Sequence, residues 1–112
     1  MKSSTARRMR VLLCTAGFAV SLSHVARADD AASVFKAKCS VCHAADGSGS
    51  SAMGKQLGAK DLRSDEVQKQ TDAQLNNTIT NGKGGKMPAY KGKLTDDQIK
   101  GLVTYIRTLV KK

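Results

Sequence analysis

From Thr95 onward the apolar residues Ile99, Leu102, Val103, Ile106, Leu109 and Val110 recur at helical spacing until the chain ends, which predicts an amphipathic helix. Thr95-Asp96-Asp97-Gln98 in front of them has a cap hydroxyl and, three residues on, an amide side chain able to reach back, the two halves of a capping box. Thr71-Asp72-Ala73-Gln74 repeats that device, and Leu75, Thr78 and Ile79 then share one face until Asn81-Gly82, so a middle helix of about ten residues is predicted there. A first helix is predicted from Asp29, where two acids suited to a helix N-terminus precede Ala31, Ala32, Val34, Phe35, Ala37 and Val41. Ser64-Asp65-Glu66 predicts a short fourth one. Residues 46–58 are Gly, Ser, Ala and Lys with few apolar anchors, and residues 82–93 hold four glycines and the only Pro, so both read as loops. No stretch alternates with period two, and the expected fold is all-α.

The first 28 residues read differently. Lys2, Arg7, Arg8 and Arg10 precede a mostly apolar run from Val11 to Leu22, and Ala26-Arg27-Ala28 is a small-x-small cleavage site, the layout of a secretory signal peptide. The run falls short of the roughly 20 residues of a membrane-spanning helix. Met9-Arg10-Val11 after the arginine pair is not what the twin-arginine route takes, so general secretion is expected. Cys14 and His24 leave with the segment. Cleavage after Ala28 removes five of the 19 basic residues and none of the nine acids, leaving one domain, residues 29–112, with a net charge of +5. A domain that small buries too little surface for side chains alone to hold it. Phe35, Tyr90 and Tyr105 are its only aromatics, so something else must fill its middle.

Cys39-Ser40-Val41-Cys42-His43 supplies a candidate. CxxCH is the attachment motif of c-type haem. On a helix, positions i, i+3 and i+4 lie on one side, so both thiols and the imidazole face one planar ligand. Each thiol can add across a vinyl group to give a thioether, and the neutral imidazole can bind iron. A disulfide or a thioredoxin-like pair shares the CxxC spacing, but the latter belongs to a strand-containing fold, and a zinc site lacks a fourth ligand after cleavage. The other axial position falls to Met53, Met87 or a lysine. Met87 is preferred because Pro88 biases it away from helix, and Gly82, Gly84 and Gly85 let backbone wrap closely around a flat ligand. Met53 reads as packing over the haem edge; an ordinary buried Met is the plain alternative for both.

With these parts in this order, residues 30–112 resemble a class I c-type cytochrome of the small, soluble, bacterial mono-haem kind. The parts are a helix ending in CxxCH, a loop, a middle helix ending near Asn81-Gly82-Lys83, then Met87-Pro88-Ala89-Tyr90 and a C-terminal amphipathic helix with Tyr105. The resemblance implies the cytochrome c fold, three to five short helices around one covalent haem c, with the first and last helices crossing and Phe35 meeting Leu102 and Tyr105. It implies cofactor attachment at Cys39 and Cys42, with iron held by His43 and Met87. Two departures stand out. Ala31 occupies a crossing position where the family often has Gly, and no Pro after CxxCH lends its carbonyl to the His43 ring, so a carbonyl from Ala52 to Leu57 is expected instead.

Iron held on both faces leaves no open position, so an electron carrier is expected rather than an enzyme, exported to the periplasm as a monomer and serving a redox donor and acceptor. Lys83, Lys86, Lys91 and Lys93 surround Met87 with no acid between Gly82 and Leu94, a basic rim suited to an acidic docking surface. An ordinary solvated loop is the plain reading of the same lysines. A displaceable Met87 would instead suit a haem peroxidase or a gas sensor. The modest charge, with Tyr90 the only aromatic in the basic loop, argues against nucleic acid as a partner. No stable membrane span is expected after cleavage.

Overall fold

A computed structural model describes residues 28–111 together with Gly17 and Ala19, so the signal-peptide reading and its cleavage motif fall almost wholly outside the described residues. Six helical segments follow in order: α1 (Ala28–Lys38), α2 (Ser40–His43), α3 (Ala52–Leu57), α4 (Asp65–Gln68), α5 (Asp72–Asn81) and α6 (Asp96–Thr108). Only Cys39 separates α1 from α2; counted as one broken helix, they leave five. Among the described residues the only β-type pairings are the isolated bridges Lys83–Met87 and Lys91–Leu94.

Both capping boxes form. The Gln74 amide donates to Thr71 Oγ1 at 3.1 Å while the Thr71 amide donates to Gln74 Oε1 at 2.8 Å, and Thr95 and Gln98 repeat the exchange at 3.1 and 2.9 Å. Ser64 caps α4 by accepting from the Val67 amide. The loop expected over residues 46–58 is overturned in its second half, which is α3. Ser51 accepts from the Gly54 amide at 2.9 Å, and Gly58 closes the helix in the left-handed conformation. The last helix stops at Thr108 rather than at the chain end. There the Thr108 hydroxyl takes the Tyr105 carbonyl at 2.6 Å, Leu109 folds back toward Gly47, and Val110 is exposed.

Packing follows the apolar faces. Phe35, Leu62, Val67, Leu75, Ile79, Ile99, Leu102, Val103 and Ile106 form one core. α1 crosses α6, and Phe35 and Leu102 are 2% and 1% exposed, with the Phe35 and Tyr105 rings 5.0 Å apart and tilted by 51°. The crossing tolerates Ala31 because Gly101 stands opposite: a Cβ on Gly101 would sit 3.5 Å from that of Ala31, an ordinary contact. Arg107 at the end of α6 donates to the Gln68 carbonyl at 2.7 Å and to Asp72 at 2.8 Å, and Gln68 in turn donates to the Leu62 and Ile106 carbonyls. This clamp fixes the α4–α5 corner against the last helix.

Candidate functional site

The helix that carries CxxCH is not smooth. The Cys39 amide still reaches the Phe35 carbonyl at 2.8 Å, but the Cys42 amide turns to the Cys39 carbonyl at 3.1 Å, which it shares with the regular bond from the His43 amide at 2.9 Å. Ser40 Oγ takes the Lys36 carbonyl at 2.6 Å, the acceptor its own amide would use in an unbroken helix. The tightened turn brings both thiols to the same cleft; each is free and partly buried. Burial, and then the neighbouring Cys42, push the Cys39 thiol up to about 11, so it stays protonated at neutral pH.

α3 supports this turn from behind. Ser51 Oγ donates to the Val41 and Cys42 carbonyls at 2.8 and 3.0 Å. Gly54 lies so close that a side-chain carbon there would fall on the Cys42 carbonyl oxygen and within 2.6 Å of the Gly49 oxygen. Met53 points elsewhere: it is 44% exposed and does not line the cleft, so the expectation that it packs over a haem edge is corrected.

His43 Nδ1 lies 3.1 Å from the Lys60 carbonyl. The orienting carbonyl thus comes from just beyond α3, not from within Ala52–Leu57, where helical bonding occupies the backbone. With Nδ1–H donating there, Nε2 is the nitrogen left for a metal.

The segment after Lys60 is held by Asp61, whose carboxylate accepts from the Arg63 amide at 2.9 Å and from Arg63 Nε at 3.0 Å, with Lys111 Nζ at 3.5 Å. The Arg63 guanidinium and amide lower the Asp61 carboxyl to about 2 against some burial, with Lys111 adding to the effect. A carboxyl depressed on folding contributes stability that is complete above its unfolded value near 4 and is lost as pH falls toward 2. Asp61→Asn is therefore expected to flatten part of the fall in melting temperature between pH 4 and pH 2, followed by circular dichroism. An unchanged slope would remove Asp61 from that balance.

Met87 reaches the same cleft from a short hairpin. α5 ends at Asn81, and Gly82 follows with φ +75°; a Cβ there would lie 2.5 Å from the Met87 carbonyl oxygen and 2.9 Å from the Ala89 nitrogen. Only glycine lets the two arms pass so closely. Lys83 and Met87 exchange amide-to-carbonyl bonds at 3.1 Å, and the Tyr90 and Lys91 amides then take the Ile79 and Thr80 carbonyls that the end of α5 leaves open, each at 3.0 Å. Tyr90 Oη donates to the Lys38 carbonyl at 3.0 Å. Burial, then the two cysteines, raise its hydroxyl above the usual phenol value, which keeps it a donor.

Cys39, Cys42, His43 and Met87 thus border one cleft of about 430 Å³. Its walls are Phe35 of α1, Leu57 of α3, Leu75 and Ile79 of α5, and Leu102 and Ile106 of α6. Of the four lysines expected to form a rim, Lys83 and Lys86 line the cleft, whereas Lys91 and Lys93 do not; Lys38 and Lys60 join instead. Lys60 is paired with Glu66 of α4 at 2.8 Å, so one of the lining lysines is partnered by an acid that no reading of residues 82–94 could reveal. Chemically, the arrangement offers two thiols for covalent attachment, one nitrogen and one thioether donor for a soft metal, and an apolar wall that excludes water. This donor set fits an iron porphyrin.

The family described as cytochrome c oxidase, cbb3-type, subunit III, matches residues 26–106. The chain is 41% identical over 76 residues to cytochrome c6 of Leptolyngbya boryana, covering 65% of this chain and 81% of that one. It is 32% identical over 93 residues to cytochrome c6 of Porphyra purpurea, covering 83% and 80%. The Cbb3-type cytochrome c oxidase subunit CcoP of Azospirillum brasilense is 38% identical over 85 residues, which are 75% of this chain but 29% of that subunit. Among solved structures, the KustC0563 c-type cytochrome superposes with a TM-score of 0.67 at 30% identity, covering 72% of this chain and 98% of that one. The family match, the identities to cytochromes c6 and the superposition agree, and the chain belongs to the small class I c-type cytochromes.

Proposed function

We propose that the chain carries single electrons between redox proteins through one haem c, attached by thioethers to Cys39 and Cys42, with His43 Nε2 and Met87 Sδ as axial ligands. The observation that carries this reading is that all four side chains line one apolar cleft. When bound, the haem supplies a one-electron iron couple. Cys39 and Cys42 would hold the haem, each thiol adding its S–H across one vinyl double bond to give a thioether, with no external oxidant or reductant needed. The Lys60 carbonyl fixes the His43 tautomer and ring plane. The Met87 thioether, a soft ligand, favours the reduced state and raises the potential. The apolar walls exclude water and keep the iron's surroundings alike in both states.

An absorption spectrum with a redox titration tests the reading. The oxidised protein is expected to show the long-wavelength sulfur-to-iron band, and its absence would overturn Met87 ligation. The displaceable-Met reading, a peroxidase or gas sensor, is not favoured: the loop bearing Met87 is hydrogen-bonded at both ends, and two of the relatives are named cytochrome c6.

Residues 1–28 act in this proposal as a cleaved export signal, delivering residues 29–112 to the periplasm as a monomer. Among the described residues no helix is long and apolar enough to cross a membrane. Lys38, Lys83 and Lys86 at the cleft mouth favour redox partners with an acidic docking surface. Lys83→Gln with Lys86→Gln is expected to slow association with such a partner about tenfold at low ionic strength and to flatten its salt dependence, measured by stopped flow. Unchanged rates at low salt would remove the electrostatic docking.

A further inference from the structure

We infer that the Tyr90 hydroxyl is a positioning group for Met87, holding the ligand loop closed by fastening it to the helix end that presents Cys39. This rests on the reading of Met87 as the iron's thioether ligand.

The Tyr90 Oη bond to the Lys38 carbonyl, 3.0 Å long, joins residues 52 apart in sequence. The acceptor is available because of the break at Cys39. An unbroken helix would send the Cys42 amide to the Lys38 carbonyl, but that amide bonds to Cys39 instead, and the Tyr90 hydroxyl takes the freed oxygen. The turn that aims the two thiols therefore creates the anchor point for the opposite ligand. Tyr90 is itself well fixed: its amide bonds the Ile79 carbonyl, and its own carbonyl receives the Lys93 and Leu94 amides at 2.9 and 3.0 Å.

The link from this anchor to Met87 is short and stiff, since only Pro88, with its fixed φ, and Ala89 intervene. On the other side Lys83 pairs with Met87, and only the tip of the loop is unpacked. Gly84 and Gly85 have φ of +62° and +67°, and a Cβ on either would meet nothing within 4 Å. Restraint on Met87 thus comes from its paired backbone bonds with Lys83, from the Gly82 contact and, beyond Pro88, from the Tyr90 side. Swinging Met87 away from iron strains or breaks the Tyr90–Lys38 bond. The hydroxyl touches neither thioether nor iron in this role; it sets how readily the loop opens.

The test is imidazole titration of the oxidised, haem-loaded protein, read by loss of the sulfur-to-iron band. Tyr90→Phe keeps the ring and removes the bond, and it is expected to bind imidazole about fivefold more tightly, the equilibrium worth of one ordinary hydrogen bond. Tyr105→Phe, whose ring packs on Phe35 outside the cleft, is expected to match the wild type. Equal imidazole affinity of Tyr90→Phe and wild type, even with a lowered denaturation midpoint, would overturn the inference and leave the Met87 reading standing. A wild-type protein without the band would overturn that reading and the inference with it.

Discussion

Replacing Met87 by Ala is expected to abolish the sulfur-to-iron band of the oxidised protein and to lower its reduction potential by more than about 100 mV. The thioether is a soft ligand that stabilises ferrous iron, and its loss leaves water or a harder ligand in its place. The nearby lysines Lys83 and Lys86 are the side chains placed to move in. Met53→Ala is the matched control, because Met53 sits half-exposed on α3 and outside the cleft, and it is expected to leave band and potential unchanged. A Met87→Ala protein that keeps both would show that another group binds the iron.

Gly54→Ala is expected to cost the domain about 3 kcal/mol, at the upper end of what overpacking does, because the added methyl falls on backbone rather than on a flexible side chain. The Cys42 carbonyl and the Gly49 carbonyl both stand where that carbon must go, and Ser51 Oγ, which caps α3 and holds Cys42, is only 2.8 Å away. Relief requires α3 to back off the CxxCH turn, which loosens Ser51 and with it the presentation of Cys42 and His43. Against a typical total stability of about 5 to 15 kcal/mol this is a large fraction, so the yield of haem-loaded protein falls as well. Gly101→Ala gives the contrast: its methyl makes an ordinary 3.5 Å contact with Ala31 and its helix gains propensity, so a change of less than about 1 kcal/mol is expected. Chemical unfolding followed by helix signal compares the two. A wild-type midpoint for Gly54→Ala would refute the tight seating of α3 behind the motif.

What the sequence reveals and what it hides divide along the range of the forces involved. The capping boxes at Thr71 and Thr95, the apolar stripe of α6 and the i, i+3, i+4 spacing of Cys39, Cys42 and His43 depend on residues a turn apart, so they can be read directly. Met87 lines the cleft and Met53 does not, and the local signs that set them apart are Pro88 and the preceding glycines. α3 was hidden because it has few apolar anchors of its own; Ser51 holds it to the carbonyls of Val41 and Cys42, some ten residues back. The partner of His43 was hidden because every residue carries a carbonyl, and only the path of the chain through Gly58 decides that Lys60 presents the right one. The break at Cys39 leaves no mark on apolar periodicity, and the Tyr90–Lys38 bond that depends on it is equally silent. Charge around the cleft is likewise a tertiary property, with Lys38, Lys60 and Glu66 arriving from other elements.

Covalent haem attachment is decided by intact-mass and peptide-level mass spectrometry of the purified protein. The expected mass is that of residues 29–112 plus one haem, with the porphyrin retained on the peptide that contains Cys39 and Cys42 after denaturation and proteolysis. A polypeptide mass alone, or a haem that extracts into acidic organic solvent, would contradict it.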